Sequence, residues 1–372
     1  MSTTIVFTIV CPAAIAFAIA FVATPLVRNL AVRLHALDAP GGRHGHTRDI
    51  PRLGGVGLLV AIVGGLTIAE AFGTGPLTLL ASLGWPLSWA MLGLATIFVV
   101  GLIDDLRGLR PMTKLVGQLV AAGLALAGGY GFDAVTNPFT GGEIALGWFG
   151  LVASLGWIVL ITNAFNLIDG LDGLAAGVAC IACLTIAIVA AIEARPDAML
   201  LAVVLGTALL AFLFFNFHPA SIFLGDSGSL LIGYWLALLS MQGLQKGTTL
   251  IVVLVPILAL GVPLLDTVVT IVRRGFTQGW ATIFRGDAEH IHHRLLGLGL
   301  NHRAAVITLY AAALALGLVA LMAMFTRGAA NALLVACVAA ATFIAVRKLG
   351  YRLRRSRDAS TLRCDPPGTD GS

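Results

Sequence analysis

The chain alternates between long uncharged apolar runs and short polar stretches. The runs occupy 5–27, 53–69, 82–103, 115–132, 144–168, 173–192, 198–217, 227–245, 247–265, 304–326 and 328–346, and none of these eleven contains Lys, Arg, Asp, Glu or His. A helix needs about 20 apolar residues to cross the hydrocarbon core. The runs lack the period-two alternation of barrel strands, so each is expected to be a helix that satisfies its own backbone in lipid. The pattern predicts an all-α polytopic integral membrane protein with about eleven transmembrane helices. The first run lacks a basic leader and a small-residue cleavage site, and reads as a permanent helix.

Composition sharpens this. Of 372 residues, 58% are hydrophobic and 11% are charged, where a soluble domain carries about 25% charged residues. A soluble globular protein is excluded, and a disordered chain or a nucleic-acid-binding domain fits poorly. The 44 glycines suit helices packed in lipid. Five cysteines are present; four lie inside apolar runs and one in the C-terminal tail, so no disulfide framework is implied.

The few charges are sorted by side. Segments 28–52, 102–114, 163–172, 216–226, 266–303 and the tail after 346 hold 20 of the 23 basic residues. The alternate segments keep only Arg195, Lys246 and Arg327. The positive-inside rule then puts the first set in the cytoplasm, the N-terminus outside and the C-terminus in the cytoplasm. All eight histidines and 13 of the 18 acidic residues fall on the same side. Chemistry is therefore expected at the cytoplasmic membrane face. Residues 1–350 read as one transmembrane catalytic domain and 351–372 as a basic disordered tail set against anionic lipid.

Five polar clusters gather there. The adjacent carboxylates Asp104 and Asp105 end one run and Lys114 opens the next. Neighbouring aspartates repel unless compensated, which suggests a divalent cation or a polar network, against a simple capping loop. In Asn163-Ala-Phe-Asn166-Leu-Ile-Asp169-Gly-Leu-Asp172-Gly173 the polar groups recur every third residue, so neighbours share a helix face. Four such side chains at a helix end are costly to desolvate and call for a ligand, a metal or one another. Phe223-Leu-Gly-Asp226-Ser-Gly-Ser229 opens another run, where Asp226 could cap a helix or hold a cation. Oxygen donors without cysteine suit Mg²⁺ or Mn²⁺. His290-Ile-His292-His293-Arg294 is dense in donors; zinc is one reading, and binding of diphosphate and sugar hydroxyls is the other. The fifth cluster, from Asp38 to Gly55, reads as a basic loop equally suited to anionic lipid. Asp266, apart from these, is expected to be a buried partner that orients a basic residue.

The first four clusters, in this order and on one side, resemble the polyprenyl-phosphate N-acetylhexosamine-1-phosphate transferases. These form the MraY/WecA/TagO superfamily of glycosyltransferase family 4. The likeness runs from about residue 38 to 303. His-Ile-His-His-Arg, in place of three adjacent histidines, resembles the WecA/TagO-type branch. The resemblance implies transfer of N-acetylglucosamine-1-phosphate from UDP-GlcNAc to undecaprenyl phosphate, with release of UMP. It implies Mg²⁺, or Mn²⁺, as cofactor, held by Asp226 and Asn166. Catalytic residues would be Asp104, Asp105, Asp169 and Lys114. Asn163, Asp172, Phe223, His290, His292, His293 and Arg294 would bind substrate, with Phe223 and Asp172 near the uracil.

The setting implied is the bacterial cytoplasmic (inner) membrane, with the active site facing the cytoplasm. Lipids and the two substrates are the expected partners, a homodimer is compatible with the reading, and nucleic acid is not expected. The implied role is the first membrane step of a cell-surface polysaccharide such as O-antigen, enterobacterial common antigen or teichoic acid. An MraY-like phospho-MurNAc-pentapeptide transferase and a transferase for another UDP-HexNAc remain alternatives. Outside enzymes the rival is a secondary transporter, which would place its carboxylates near the bilayer midplane.

Overall fold

A computed structural model describes residues 3–38, 49–71, 85–136, 143–242, 257–277 and 291–325, with scattered positions between 333 and 344. The helices are α1 (Thr3–Arg33), α2 (Gly54–Ala71), α3 (Trp85–Arg107), α4 (Pro111–Ala127), α5 (Gly147–Ile168) and α6 (Leu174–Ile192). They continue as α7 (Pro196–Asn216), α8 (Gly225–Gln242), α9 (Gly261–Thr277), α10 (Ile291–Gly297) and α11 (His302–Phe325). Six of them, namely α1, α3, α5, α6, α7 and α11, carry stretches long and apolar enough to cross a membrane. α2, α4 and α9 add shorter apolar stretches. Large apolar side chains such as Val22, Leu26, Val116, Phe214 and Leu318 stand exposed on their outer faces. Lipid is the solvent that such surfaces require. The chain is a multi-pass membrane protein.

Helix ends follow the punctuation of the sequence. α4 and α7 begin at Pro111 and Pro196, where a missing N–H costs nothing. α4 ends at Gly128, with Gly129 in the left-handed region at φ +82°. The run at 115–132 therefore yields a helix that starts earlier and stops sooner than its apolar length suggests.

Two differences from the expected pattern are local. Short antiparallel ribbons join β1 (Leu37–Asp38) to β2 (Ile50–Pro51) and β3 (Ala134–Thr136) to β4 (Glu143–Ala145). The first ribbon lies between α1 and α2 in the chain and the second between α4 and α5. α9 also continues past Asp266 to Thr277, so the start of the expected loop 266–303 is helical. Residues 243–256, most of the run at 328–346 and the tail 351–372 lie outside the described residues.

α8 is the hub. It packs against α2, α3, α5, α6 and α7. Every residue from Ser227 to Met241 is buried. A helix enclosed on all sides must be apolar all round or have its polar groups bonded. From Leu230 to Met241 α8 is largely apolar, and its two hydroxyls there, on Tyr234 and Ser240, are both hydrogen-bonded. Glycines on α8 and on its neighbours permit the approach. A Cβ on Gly101 of α3 would come within 2.6 Å of the Asp226 carbonyl oxygen, and one on Gly233 of α8 within 2.6 Å of the Thr162 Cα on α5.

Candidate active site

The polar residues converge on the first turn of α8. The leading N–H groups of a helix have no partner within it. Here the last turn of α3 supplies one. Asp105 accepts hydrogen bonds from the Asp226 N–H at 2.8 Å, the Ser227 N–H at 3.0 Å and the Ser227 hydroxyl at 2.6 Å. A carboxylate also gains from the positive end of the helix dipole. Gly225, at φ +73°, turns the chain into this cap; a Cβ there would strike the Arg52 carbonyl and the Asp105 carboxylate.

With its backbone so held, the Asp226 side chain is gripped from two sides. Asn166 Nδ2, on α5, donates to Oδ1 at 2.6 Å and to Ser229 Oγ at 2.9 Å. Lys114 Nζ, on α4, donates to Oδ2 at 2.5 Å. The same ammonium reaches Asp104 Oδ2 at 2.6 Å, while the other Asp104 oxygen accepts from the Leu109 N–H. Lys114 thus bridges carboxylates from two helices. These groups are only partly exposed, so water screens them less than it would a surface pair.

Asp169, just past the end of α5, differs. Among the described residues its carboxyl makes no hydrogen bond or ion pair. Burial, and then the nearby Asp105 and Asp172 carboxylates, push it from the ordinary 3.8 up to about 8. The turn that carries it is braced. Gly173, at φ +78°, donates its N–H to Asn216 Oδ1 at 3.1 Å, and its carbonyl accepts from the Tyr310 hydroxyl at 2.5 Å. Asn216 Nδ2 donates in turn to the Ile222 carbonyl at 2.9 Å.

Asp172 Oδ2 lies 2.8 Å from His218 Nδ1 and accepts the Ala220 N–H at 3.1 Å. The His218 ring stacks on His302 at 4.7 Å with 15° between planes. Donor atoms of Asp172, His218 and His302 lie within 4.8 Å of one another. An imidazole binds a metal in its own ring plane, and two stacked, near-parallel planes do not share one ion. The trio is better read as a brace. Phe223 is 8% exposed; its backbone donates to the Pro51 carbonyl at 2.7 Å and accepts from the Gly54 N–H at 3.0 Å.

A family model described as Glycosyl transferase family 4 matches residues 87–244. Among the relatives, "Probable undecaprenyl-phosphate N-acetylglucosaminyl 1-phosphate transferase" of Bacillus subtilis is 36% identical over 287 residues, covering 77% of each chain. The decaprenyl-phosphate N-acetylglucosaminephosphotransferase of Mycobacterium tuberculosis is 36% identical over 314 residues, 78% of this chain and 76% of the relative. This chain belongs to glycosyl transferase family 4, the MraY/WecA superfamily. It is an enzyme of the phosphotransferase type. The phospho-N-acetylmuramoyl-pentapeptide-transferase of Bacillus subtilis is less similar, at 28% over 317 residues, 84% of this chain and 95% of the relative.

The matched stretch contains Asp104, Asp105, Lys114, Asn163, Asn166, Asp169, Asp172, Phe223 and Asp226. In this family member Asp104, Lys114, Asn166 and Asp226 form one bonded network, and Asp105 caps the helix beneath it. Asn163 is turned toward Gln118 instead. Arg294 lies on α10; His290 lies outside the described residues, as do the side chains of His292 and His293. Asp266 is buried, at 1% exposure.

The donor set suits a hard divalent cation, being all oxygen. A cationic ammonium already sits between two of the carboxylates, and Asp169, near Asp105, has no hydrogen bond or ion pair among the described residues. Ser229, Gln118 and Tyr310 take part without having been singled out from the sequence. Ser229 follows Asp226 by three and Gln118 follows Lys114 by four, spacings that put each on its partner's helix face. Tyr310 carries no comparable signal.

Proposed function

We propose that the protein transfers N-acetylglucosamine-1-phosphate from UDP-GlcNAc to undecaprenyl phosphate. A lipid phosphate oxygen attacks the sugar-bearing phosphorus of the nucleotide. The bond to the bridging oxygen breaks, that oxygen leaves with UMP, and one phosphoanhydride replaces another. The second pKa of a phosphate monoester is about 6, so the nucleophile is largely ionised at neutral pH and needs little help from a base. Such transfers depend mainly on positioning and on neutralising charge.

The observation that carries this reading is Lys114 bound between Asp104 and Asp226, with Asp169, which has no hydrogen bond or ion pair among the described residues, near Asp105 and Asp172. Asp226 and Asn166 would hold Mg²⁺, which when bound would neutralise diphosphate charge. Asn166 meets Asp226 as an amide donor, which orients that carboxylate. Lys114 would steady phosphate, Asp104 would hold Lys114, and Asp105 would hold the α8 turn. Asp169 would face the lipid phosphate and the cation. Asp172 and Phe223 would line the uracil pocket, and His290, His292, His293 and Arg294 would meet diphosphate and amino sugar.

The same reading places eleven crossings in a bacterial inner membrane, N-terminus out and site in the cytoplasm, supported by the sorting of 20 of 23 basic residues. The product would start a cell-surface polysaccharide. Its donor is favoured over UDP-MurNAc-pentapeptide by 36% against 28% identity to the respective relatives.

The test is UMP release by purified protein supplied with undecaprenyl phosphate, Mg²⁺ and one UDP-sugar at a time. UDP-GlcNAc is the expected donor. Turnover with UDP-MurNAc-pentapeptide alone would overturn the branch, and turnover with no UDP-HexNAc would overturn the reaction.

A further inference from the structure

A second polar layer lies one helical turn along α4 from Lys114 and one turn back along α5 from Asn166. Gln118 follows Lys114 by four residues on α4, and Asn163 precedes Asn166 by three on α5, so each lies on the same face as its catalytic neighbour. Gln118 is 3% exposed. The two amides bond reciprocally: Asn163 Nδ2 donates to Gln118 Oε1 at 2.6 Å, and Gln118 Nε2 donates to Asn163 Oδ1 at 3.2 Å. Asn163 also donates to the Val159 carbonyl at 2.8 Å. An asparagine side chain has two amide hydrogens and one carbonyl oxygen, and all three groups are engaged here.

The geometry above this pair gives it a purpose. Lys114 and Asn166 reach opposite oxygens of Asp226 from different helices. Their grip depends on the spacing and register of α4 against α5. Contacts between apolar side chains in lipid restrain sliding weakly, whereas an interhelical amide pair that comes apart leaves buried polar groups without partners.

We infer that Gln118 and Asn163 form a strut that sets α4 against α5 and thereby places Lys114 and Asn166 on Asp226. Both are positioning residues; neither needs to touch substrate. The kinetic part of the inference rests on the reaction proposed above, and the geometric part does not.

The experiment uses the full chain in lipid nanodiscs and compares wild type, Gln118→Leu and the exchange Gln118→Asn/Asn163→Gln, which keeps the pair with its lengths traded. One measurement is acylation of Lys114 by a water-soluble amine reagent, read by mass spectrometry against Lys246 and Lys348, the other two lysines of the chain. Gln118→Leu should free the ammonium from its carboxylates and label it several-fold faster. The exchange should return the rate toward wild type. The other measurement is UMP release. Misplacing charge-bearing groups by an ångström or less costs roughly 10–100-fold in turnover, so kcat should fall by about tenfold or more, with KM for UDP-GlcNAc nearly unchanged and kcat recovered in the exchange.

Unchanged labelling in a folded Gln118→Leu protein overturns the strut, as does an exchange that restores neither quantity. A raised KM with unchanged kcat would instead make this layer a substrate contact and overturn it too. If Gln118→Leu does not fold, Gln118→Met, with an unbranched chain of similar length, carries the same expectations. If wild type turns over no UDP-HexNAc, the proposed reaction fails, and labelling alone decides the strut.

Discussion

Replacing Asp105 by asparagine separates a structural from a chemical role for this residue. Three donors converge on its carboxylate: two N–H groups and a hydroxyl, all from the first turn of α8, at 2.6–3.0 Å. Asparagine offers one oxygen. If that oxygen faces Ser227, the amide NH₂ faces the Asp226 N–H, and donor meets donor. At least one hydrogen bond to a charged group is lost, worth about 1.5–3 kcal/mol. The charge at the helix N-terminus goes as well, for roughly another 0.3–1 kcal/mol. The sum is about 2–4 kcal/mol, and Asp226 shifts with the turn it stands on. Reversible unfolding in mixed micelles should show that loss of stability, with turnover falling in parallel. A variant within about 0.5 kcal/mol of wild type, the range of an ordinary surface change, that is nonetheless inactive would refute the capping argument and make Asp105 a chemical participant.

Two further outcomes follow from the same geometry. Asp169 is raised to about 8 in the folded protein from 3.8, so the folded state holds its proton more tightly than the unfolded one. Stability without a divalent cation should fall as pH climbs from about 4 through about 8, and Asp169→Asn should flatten that fall; unfolding midpoints with the same pH slope in both proteins would contradict it. Gly225→Ala places a side chain in the left-handed region, at about 1–2 kcal/mol, and drives it into the Arg52 carbonyl and Asp105. The yield of monodisperse protein should collapse, and normal recovery with full activity would show that the turn is not required.

Much of the helical layout was legible because lipid permits few alternatives. An uncharged run of sufficient length becomes a helix, as at α5, α6 and α7. Where a run stops is set by single residues: Gly128 ends α4 before the apolar stretch does. The ribbons were not legible, since two or three residues carry no measurable alternation. At the site, the meeting of Asp104, Lys114, Asn166 and Asp226 could be expected from clusters at adjoining helix ends. The division of labour between Asp104 and Asp105 could not. The two are chemically alike, but successive residues on a helix point about 100° apart. One therefore meets Lys114 and the other the backbone of α8. The role of Gln118 was not legible, because a lone uncharged amide does not interrupt an apolar run.

The bond from Tyr310 to the Gly173 carbonyl joins the last described long helix to the turn bearing Asp169 and Asp172. Gly177, one turn into α6, leaves space that the Tyr310 ring fills. These residues stand 137 positions apart in the chain. During synthesis the carboxylate turn enters the membrane long before its brace is translated. The enzyme's assembly thus has a built-in order. The Tyr310 hydrogen bond to that turn forms only once α11 has been made and stands beside α6. A backbone turn made early is thus braced by a hydroxyl made late.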